Sequence, residues 1–416
     1  MSTILIYPKT TCEVGCEYCF SKPNEKQEYD KEQMMIAVKE EIRKDRILNS
    51  GHDPTVVLHG GEICFLPLVD LEYFLKELED IGITCGLQTS LMGMTRDHVR
   101  LFKKYKVKVG VSRDGPKELN IMRGPRNKEE NLLYQEELIN NLKILKEEGL
   151  SWGNICILSK VNASKENLPI LLNWIKTNKI DGRFNAMFIP TFNDKLSKWM
   201  LSCDELKNAW IEISKVSIGE NISNVDPTRD YIESLLGYGT ASCSTASRCD
   251  YVTTVCITIL GNGEISRCDR CLQDGVYLRS KEIKTTSRSD MLEKTECAGC
   301  KYFKVCGGGC PSEGIGGDFR RKTYYCDAIY GTFEYLEKQL RGMFPNIVLS
   351  IDDPNYKRNE PFNWSRNMQR GTRGGNILSK DHSKNPNKHE VCKQSECRER
   401  GHVNTPHGDH MNHINR

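Results

Sequence analysis

From Thr3 to about Lys215 the chain alternates short β-branched runs with amphipathic helical stretches, and few folds accommodate that rhythm. The candidate strands are Thr3–Tyr7, Thr55–His59, Thr84–Gln88, Lys106–Ser112, Asn154–Leu158 and Phe184–Ile189. Asp30 with Gln33 reads as a helix cap and its return partner, after which Met35, Val38 and Ile42 share one face. Leu138, Leu142 and Leu145 repeat at helical spacing before Gly149, a C-terminal cap. Strand–helix alternation implies right-handed crossovers and a parallel sheet. Six such units predict an α/β fold, a partial barrel short of the full eight. Reactive groups in such barrels gather at the carboxyl ends of the strands.

Directly after the first strand comes Cys12-Glu13-Val14-Gly15-Cys16-Glu17-Tyr18-Cys19, a C-x3-C-x2-C loop. Three thiolates on one tight loop can hold three corners of a cubane iron–sulfur cluster, whose complete protein ligation takes four. The open corner leaves an iron free to bind a substrate or cofactor. A zinc site competes with this reading, but structural zinc wants four closed ligands and no fourth lies nearby.

Composition narrows the setting. At 416 residues the chain is long enough for two or three domains. Its net charge of +3, with both signs mixed, gives no reason to expect nucleic acid or a membrane surface. No apolar run approaches the ~18–20 residues of a membrane span, and the first residues lack the basic and apolar regions of a signal peptide. Nineteen cysteines without an export signal point to metal or cluster binding in a reducing cytoplasm.

The cysteine loop, with aromatic Tyr18 before its last cysteine, resembles that of the radical S-adenosylmethionine (radical SAM) superfamily. The resemblance implies that the open iron chelates SAM and that an electron splits it to a 5′-deoxyadenosyl radical. Strand two runs into Gly60-Gly61-Glu62, matching the family segment that receives the SAM amino group; the usual proline is replaced by Ile63-Cys64. Read alone, Gly-Gly-Glu is equally a plain turn. Strand three ends Leu87-Gln88-Thr89-Ser90, and strand four ends Gly110-Val111-Ser112-Arg113-Asp114-Gly115-Pro116. Both resemble segments of SAM enzymes with a SPASM extension, which places Gln88, Ser112 and Asp114 near SAM; Arg113 replaces a leucine. Arg123 and Asn162 occupy plausible later contact positions, although a surface arginine or turn asparagine explains each as well. His59 reads as a packed strand-end histidine.

After a linker at 218–240 comes a dense cysteine zone: Cys243-x5-Cys249-x13-Gly263-x4-Cys268, then Cys297-x2-Cys300-x5-Cys306-x3-Cys310, then Cys326. The set matches the SPASM domain. That resemblance assigns Cys243, Cys249, Cys268 and Cys310 to one auxiliary cluster, and Cys297, Cys300, Cys306 and Cys326 to a second. With the cluster on the first loop, this implies three [4Fe-4S] clusters plus SAM; zinc at the same ligands is the alternative. The expected domains are a radical SAM core at 1–217, a SPASM domain at 241–344, and a polar tail at 345–416. The tail holds His382, His389, His402, His407, His410, His413, Cys392 and Cys397, and its composition reads as flexible rather than metal-binding. Cys85, Cys156 and Cys256 sit in apolar surroundings and pack, whereas Cys64 and Cys271 lie beside motif residues where either could face the active cavity.

Asp269, after Cys268, occupies the position of an aspartate that resembles a general base in anaerobic sulfatase-maturating enzymes; a turn aspartate is the plain alternative. The implied enzyme is an oxidoreductase that modifies a peptide side chain. Installing a thioether or carbon–carbon cross-link in a ribosomally made precursor is favoured, because Cys306-Gly307-Gly308-Gly309-Cys310-Pro311-Ser312 lacks the glutamate and the Pro-Lys-(Asn/His)-Arg run of sulfatase maturases. Converting cysteine or serine to formylglycine is the alternative, and a non-enzymatic electron-transfer scaffold is the third reading. Implied partners are a peptide or protein substrate, a flavodoxin- or ferredoxin-type electron donor and, in the first reading, a separate peptide-recognition protein.

Overall fold

A computed structural model of the protein describes residues 3–9, 12–19, 28–48, 53–188, 194–238, 256–266, 268–270 and 288–356. The chain divides into two compact units, Met1–Met200 with Thr254–Tyr277, and Leu201–Thr253 with Leu278–Arg416.

The first unit follows the expected alternation. Its strands are β1 (Thr3–Tyr7), β2 (Thr55–Leu58), β3 (Cys85–Thr89), β4 (Lys108–Ser112), β5 (Trp152–Leu158) and β6 (Gly182–Ala186). Its main helices are α1 (Lys31–Leu48), α2 (Leu68–Glu79), α3 (Arg96–Lys104) and α4 (Lys128–Glu147), then the short α5 (Lys160–Ala163) and α6 (Leu168–Asn178). Neighbouring strands pair in chain order and in parallel throughout. β4 starts two residues later than its apolar run because Lys106 has a φ of 52°, a left-handed turn that no strand accommodates.

One strand was not expected in this sheet. Cys256–Leu260 lies parallel to β1 along its whole length, with Thr3 opposite Cys256 and Tyr7 opposite Leu260. Ile265–Ser266 then returns antiparallel beside it. The run Cys256-Ile-Thr-Ile-Leu260 is rich in β-branched residues, and it covers an edge of β1 whose N–H and C=O groups would otherwise lack ladder partners.

Apolar side chains of the strands and the facing helices build one core. Ile4, Ile6, Val56, Leu58, Leu87, Val109 and Val111 meet Met35, Val38 and Ile42 of α1 and Phe74 and Leu78 of α2, together with Leu138, Leu142 and Leu145 of α4. The helix ends are closed as the sequence indicates. Asp30 accepts from the Gln33 N–H at 2.9 Å, and Gly149 takes a φ of 72° after α4.

In the second unit, residues 218–240 are not a bare linker. They contain a helix, Thr228–Leu235, whose Tyr231 and Leu235 are buried. Tyr231 stacks on Phe333 at 4.1 Å between ring centroids, and Phe333 stacks on Tyr302 at 5.4 Å. Such aromatic contacts add about 0.5–1.5 kcal/mol each beyond area burial. Phe333 belongs to the long helix Cys326–Met343. The first residues of the expected tail also pack. Val348, Leu349 and Tyr356 are buried, and Arg341 holds Asp352 at 2.8 Å. The remainder, 357–416, with its histidines, Cys392 and Cys397, lies outside the described residues.

Candidate cluster and cofactor site

The three-cysteine loop leaves the carboxyl end of β1, and contacts distant in sequence hold it. Gly15 turns it with a φ of 76°. The Glu17 N–H donates to the Met122 carbonyl at 2.9 Å, and the Gly124 N–H donates to Cys16 Sγ at 3.5 Å. Cys12 and Cys16 are half-buried and Cys19 is exposed. Burial pushes the Cys16 thiol up to about 11, against the pull of the Arg123 guanidinium. Burial likewise raises Cys12, with Cys16 and Cys19 adding to the effect, so the three sulfurs share one electrostatic environment. Three converging thiols and a backbone N–H aimed at one sulfur fit a cluster better than a packed core, because hydrogen bonds to sulfur are a normal part of cluster ligation.

Behind the loop lies a buried ionic network. Asp114, at 2 % exposure, accepts from Arg123 Nε at 3.0 Å, from the Ile157 N–H at 2.8 Å and from the Tyr18 hydroxyl. The Arg123 guanidinium also lies 5.3 Å from the centre of the Tyr18 ring. Burial works against its charge, but Asp114, Tyr18 and Cys16 outweigh that cost and hold it protonated. Asn120 accepts from the Asp114 N–H at 2.7 Å, and Asn162 donates to the Asp114 carbonyl at 2.9 Å. Tyr18, Asp114 and Arg123, each expected beside the cofactor, therefore engage one another and bind the cysteine loop to the ends of β4 and β5. Asn120, Asn131 and Gln135 were not singled out from the sequence. Gln135 accepts from Asn120 at 2.8 Å, and Asn131 donates to the Arg123 carbonyl at 2.8 Å. The one signal for Asn131 and Gln135 was a pair of amides, four residues apart, among the apolar residues of the buried helix face.

The Gly-Gly-Glu turn caps β2. Gly60 has a φ of 116°, and a Cβ there would sit 2.4 Å from the Lys9 carbonyl oxygen and 3.1 Å from the Tyr7 ring, so only glycine fits. Glu62 points inward at 4 % exposure. Its carboxylate accepts from the Cys64 N–H at 3.1 Å, the Ser90 N–H at 2.7 Å and the hydroxyls of Thr89 and Ser90. Burial raises its pKa despite those donors. An ionised carboxylate offers about four acceptor positions, and here three donors at the end of β3 and the Cys64 N–H take them, so the side chain binds β2 to β3. Cys64 is buried against Thr89. On the next strands Gln88 donates to the Ser112 hydroxyl at 2.7 Å, both half-buried. Gly110 makes room for that pair, since a Cβ there would fall 2.4 Å from Gln88 Oε1.

Asp269 is half-buried and accepts from the Arg270 N–H at 2.9 Å. It lies within electrostatic reach of His59 at the end of β2. Burial lowers the His59 pKa and the Asp269 carboxylate opposes that shift. His59 stacks on Tyr7 and accepts the Gly60 N–H through Nδ1 at 2.8 Å.

In the second unit, Cys297, Cys300, Cys306 and Cys326 stand within one another's fields. Burial pushes Cys297 and Cys300 up to about 12, while the buried Lys322 pulls all three of Cys297, Cys300 and Cys326 the other way. Four mutually close thiols, three of them in the field of a buried cation, suit an anionic thiolate-ligated group. Cys310 is buried in the same unit, and Cys268 is buried in the first. Cys243, Cys249 and Cys271 lie outside the described residues. Among the described residues no three His, Cys, Asp or Glu side chains are set to hold a single metal ion.

A parallel βα sheet with a three-thiol loop at the carboxyl end of its first strand is an arrangement able to hold three corners of an iron–sulfur cluster. Residues 6–168 match the model of the Radical SAM superfamily, and that match supports an enzyme of the radical SAM class with SAM and an iron–sulfur cluster as its cofactors. A cysteine-type anaerobic sulfatase-maturating enzyme of Clostridium perfringens is 24% identical, over 83% of this chain and 99% of its own. The same enzyme of Clostridium novyi is 23% identical, over 74% and 87%. The solved structure of native anSMEcpe with bound AdoMet and Kp18Cys peptide shares the fold with a TM-score of 0.65 at 18% identity, covering 83% of this chain and 99% of that one. Streptococcus suis SuiB bound to S-adenosylmethionine overlays with a TM-score of 0.50 at 17% identity, covering 74% and 72%. Among the described residues no helix is long and apolar enough to cross a membrane.

Proposed function

We propose that the protein oxidises a side chain of a peptide or protein, installing a thioether or carbon–carbon cross-link in a ribosomally made precursor. The names of its relatives, one maturing a sulfatase and one solved with a bound peptide, support a polypeptide substrate. Gly309 carries the preference for cross-linking. Sulfatase maturases resemble this chain but place a glutamate just before the cysteine equivalent to Cys310. Here that position has a φ of 75°, and a Cβ would meet Thr323 Cγ2 at 2.2 Å.

Cys12, Cys16 and Cys19 would hold the cluster that supplies the electron for SAM cleavage, and Cys243, Cys249, Cys268 and Cys310, with Cys297, Cys300, Cys306 and Cys326, would hold two auxiliary clusters able to accept electrons. Around them the protein orients and deprotonates. Gly60 and Gly61 keep the backbone close to the cofactor's amino-acid end, and Gln88 with Ser112 offers it hydroxyl and amide groups. For a thioether, the substrate would lose one hydrogen atom from carbon, one electron to an auxiliary cluster and one proton from the attacking thiol, two hydrogens in all. Asp269 takes that proton and His59 lies within its field. A low-potential flavodoxin- or ferredoxin-type protein supplies reducing electrons, and a separate protein presents the precursor.

Formylglycine formation is the second reading, favoured by similarity that runs over 99% of the curated sulfatase maturase's length. Anaerobic turnover with a cysteine-containing peptide, read by tandem mass spectrometry, separates the two. A cross-link leaves a product two hydrogens lighter that resists fragmentation between the joined residues, whereas formylglycine exchanges the cysteine thiol for an aldehyde. Asp269→Asn should keep 5′-deoxyadenosine formation and lose most product; equal loss of both would overturn its role as base.

A further inference from the structure

Arg288, the first residue of the helix Arg288–Lys294, is 1% exposed and was not singled out from the sequence. All five of its N–H groups donate to backbone carbonyls. Nε reaches Phe319 at 3.0 Å, Nη1 reaches Gly307 at 3.3 Å and Gly309 at 3.1 Å, and Nη2 reaches Gly308 at 3.2 Å and Arg321 at 2.8 Å. Gly307, Gly308 and Gly309 are all left-handed, with φ of 64°, 83° and 75°. Three successive left-handed residues are costly for any chain but a glycine one, and here they turn successive carbonyls onto one guanidinium. The cradle closes tightly: a Cβ on Gly308 would lie 2.4 Å from Leu292 Cδ1, and the Thr323 N–H donates to the same Gly308 carbonyl at 2.8 Å.

This loop joins Cys306 to Cys310. Resting on the two-auxiliary-cluster reading above, we propose that Arg288 is a positioning residue that fixes the spacing of Cys306 and Cys310, one ligand of each auxiliary cluster, by locking the three-glycine bridge between them. Only a planar five-donor fork can serve five carbonyls at once; a lysine offers three donors at a point. Arg288 also lies within the field of the Cys297 thiol, on the same side of the balance as Lys322.

The test uses the full-length chain carrying Cys12→Ala, Cys16→Ala and Cys19→Ala, so that only auxiliary clusters contribute. This parent should bind about eight irons, as two four-iron cubanes require, and its dithionite-reduced EPR spectrum should show two signals broadened by mutual interaction. A parent with far fewer irons sinks the two-cluster reading itself, independently of Arg288. Given a loaded parent, Arg288→Lys should retain native circular dichroism and its iron, while the interaction broadening changes or collapses. Unchanged broadening in a folded, loaded Arg288→Lys protein overturns the proposal. Gly308→Ala strikes the same cradle without touching the arginine, and stands in if Arg288→Lys does not fold. It should alter the same spectral feature, and native broadening in that variant overturns the proposal equally.

Discussion

Replacing Asp114 by asparagine tests whether the ionic network behind the cysteine loop holds the site together. The exchange preserves shape and removes one charge, leaving Arg123, at 7 % exposure, as a buried cation beside a neutral amide. Breaking one partner of a buried pair costs about 3–5 kcal/mol, mostly because the remaining charge has lost its counterion. Asparagine keeps one acceptor for the Ile157 N–H or for Arg123, so the lower end applies, about 3 kcal/mol. Against a total stability of ~5–15 kcal/mol for a typical domain, that is a large fraction. With a urea slope near 3 kcal/mol/M, the midpoint should fall by about 1 M in anaerobic urea titrations followed by circular dichroism. The companion Arg123→Met alone should be damaging too. The double variant should be less damaged than the sum, since neither charge is then stranded. The cysteine loop should report the same event through weaker iron retention at Cys12, Cys16 and Cys19. A midpoint shift below ~0.3 M, or strict additivity of the two substitutions, would refute the reasoning.

Gly60→Ala forces a Cβ to 2.4 Å from the Lys9 carbonyl; SAM affinity, measured by calorimetry on the cluster-loaded protein, should fall at least tenfold. Cys16→Ala should abolish 5′-deoxyadenosine release, whereas Cys300→Ala should keep part of it and lose modified product, both read by chromatography. Glu337 supplies a pH test in the second unit. Burial pushes its pKa up, but Lys301, Tyr302 and Arg341 outweigh burial and hold it below the ordinary 4.5. A depressed acid contributes stability that is present above 4.5 and disappears as pH falls through its folded value. Glu337→Gln should therefore lower the urea midpoint by a constant amount between about pH 6 and 8, and that difference should shrink below the ordinary carboxylate range. A difference that grows on acidification would contradict the assignment.

Much of the first unit could be read from local pattern. Thr3–Tyr7 is apolar and β-branched, and it forms β1 with those bounds. The Asp30 cap, the buried stripe of α1 and the Gly149 stop depend on neighbours within a few residues, which sequence periodicity records. Contacts between distant segments left weaker traces. Nothing near Cys256 indicates that its strand will lie beside residue 3, because parallel pairing is set by topology. Glu62 was expected to face the cofactor because glycine turns approach ligands; its partners, Thr89 and Ser90, come from another strand. Arg288 sits in an ordinary polar stretch, and only the folded loop shows why a guanidinium is buried there. The helix Thr228–Leu235 reads as linker because its apolar residues are sparse, and its Tyr231 packs against Trp210 and against Phe333, about a hundred positions later.

The strand that flanks β1 also bears on how the protein is made. β1 leaves the ribosome well before one of its two neighbours, Cys256–Leu260. At ~5–20 residues per second, the opening strand waits on the order of ten seconds or more with that edge bare. Throughout that interval the three thiols that follow it hang from a half-clad ribbon, so lasting iron delivery there belongs after translation has passed Leu260.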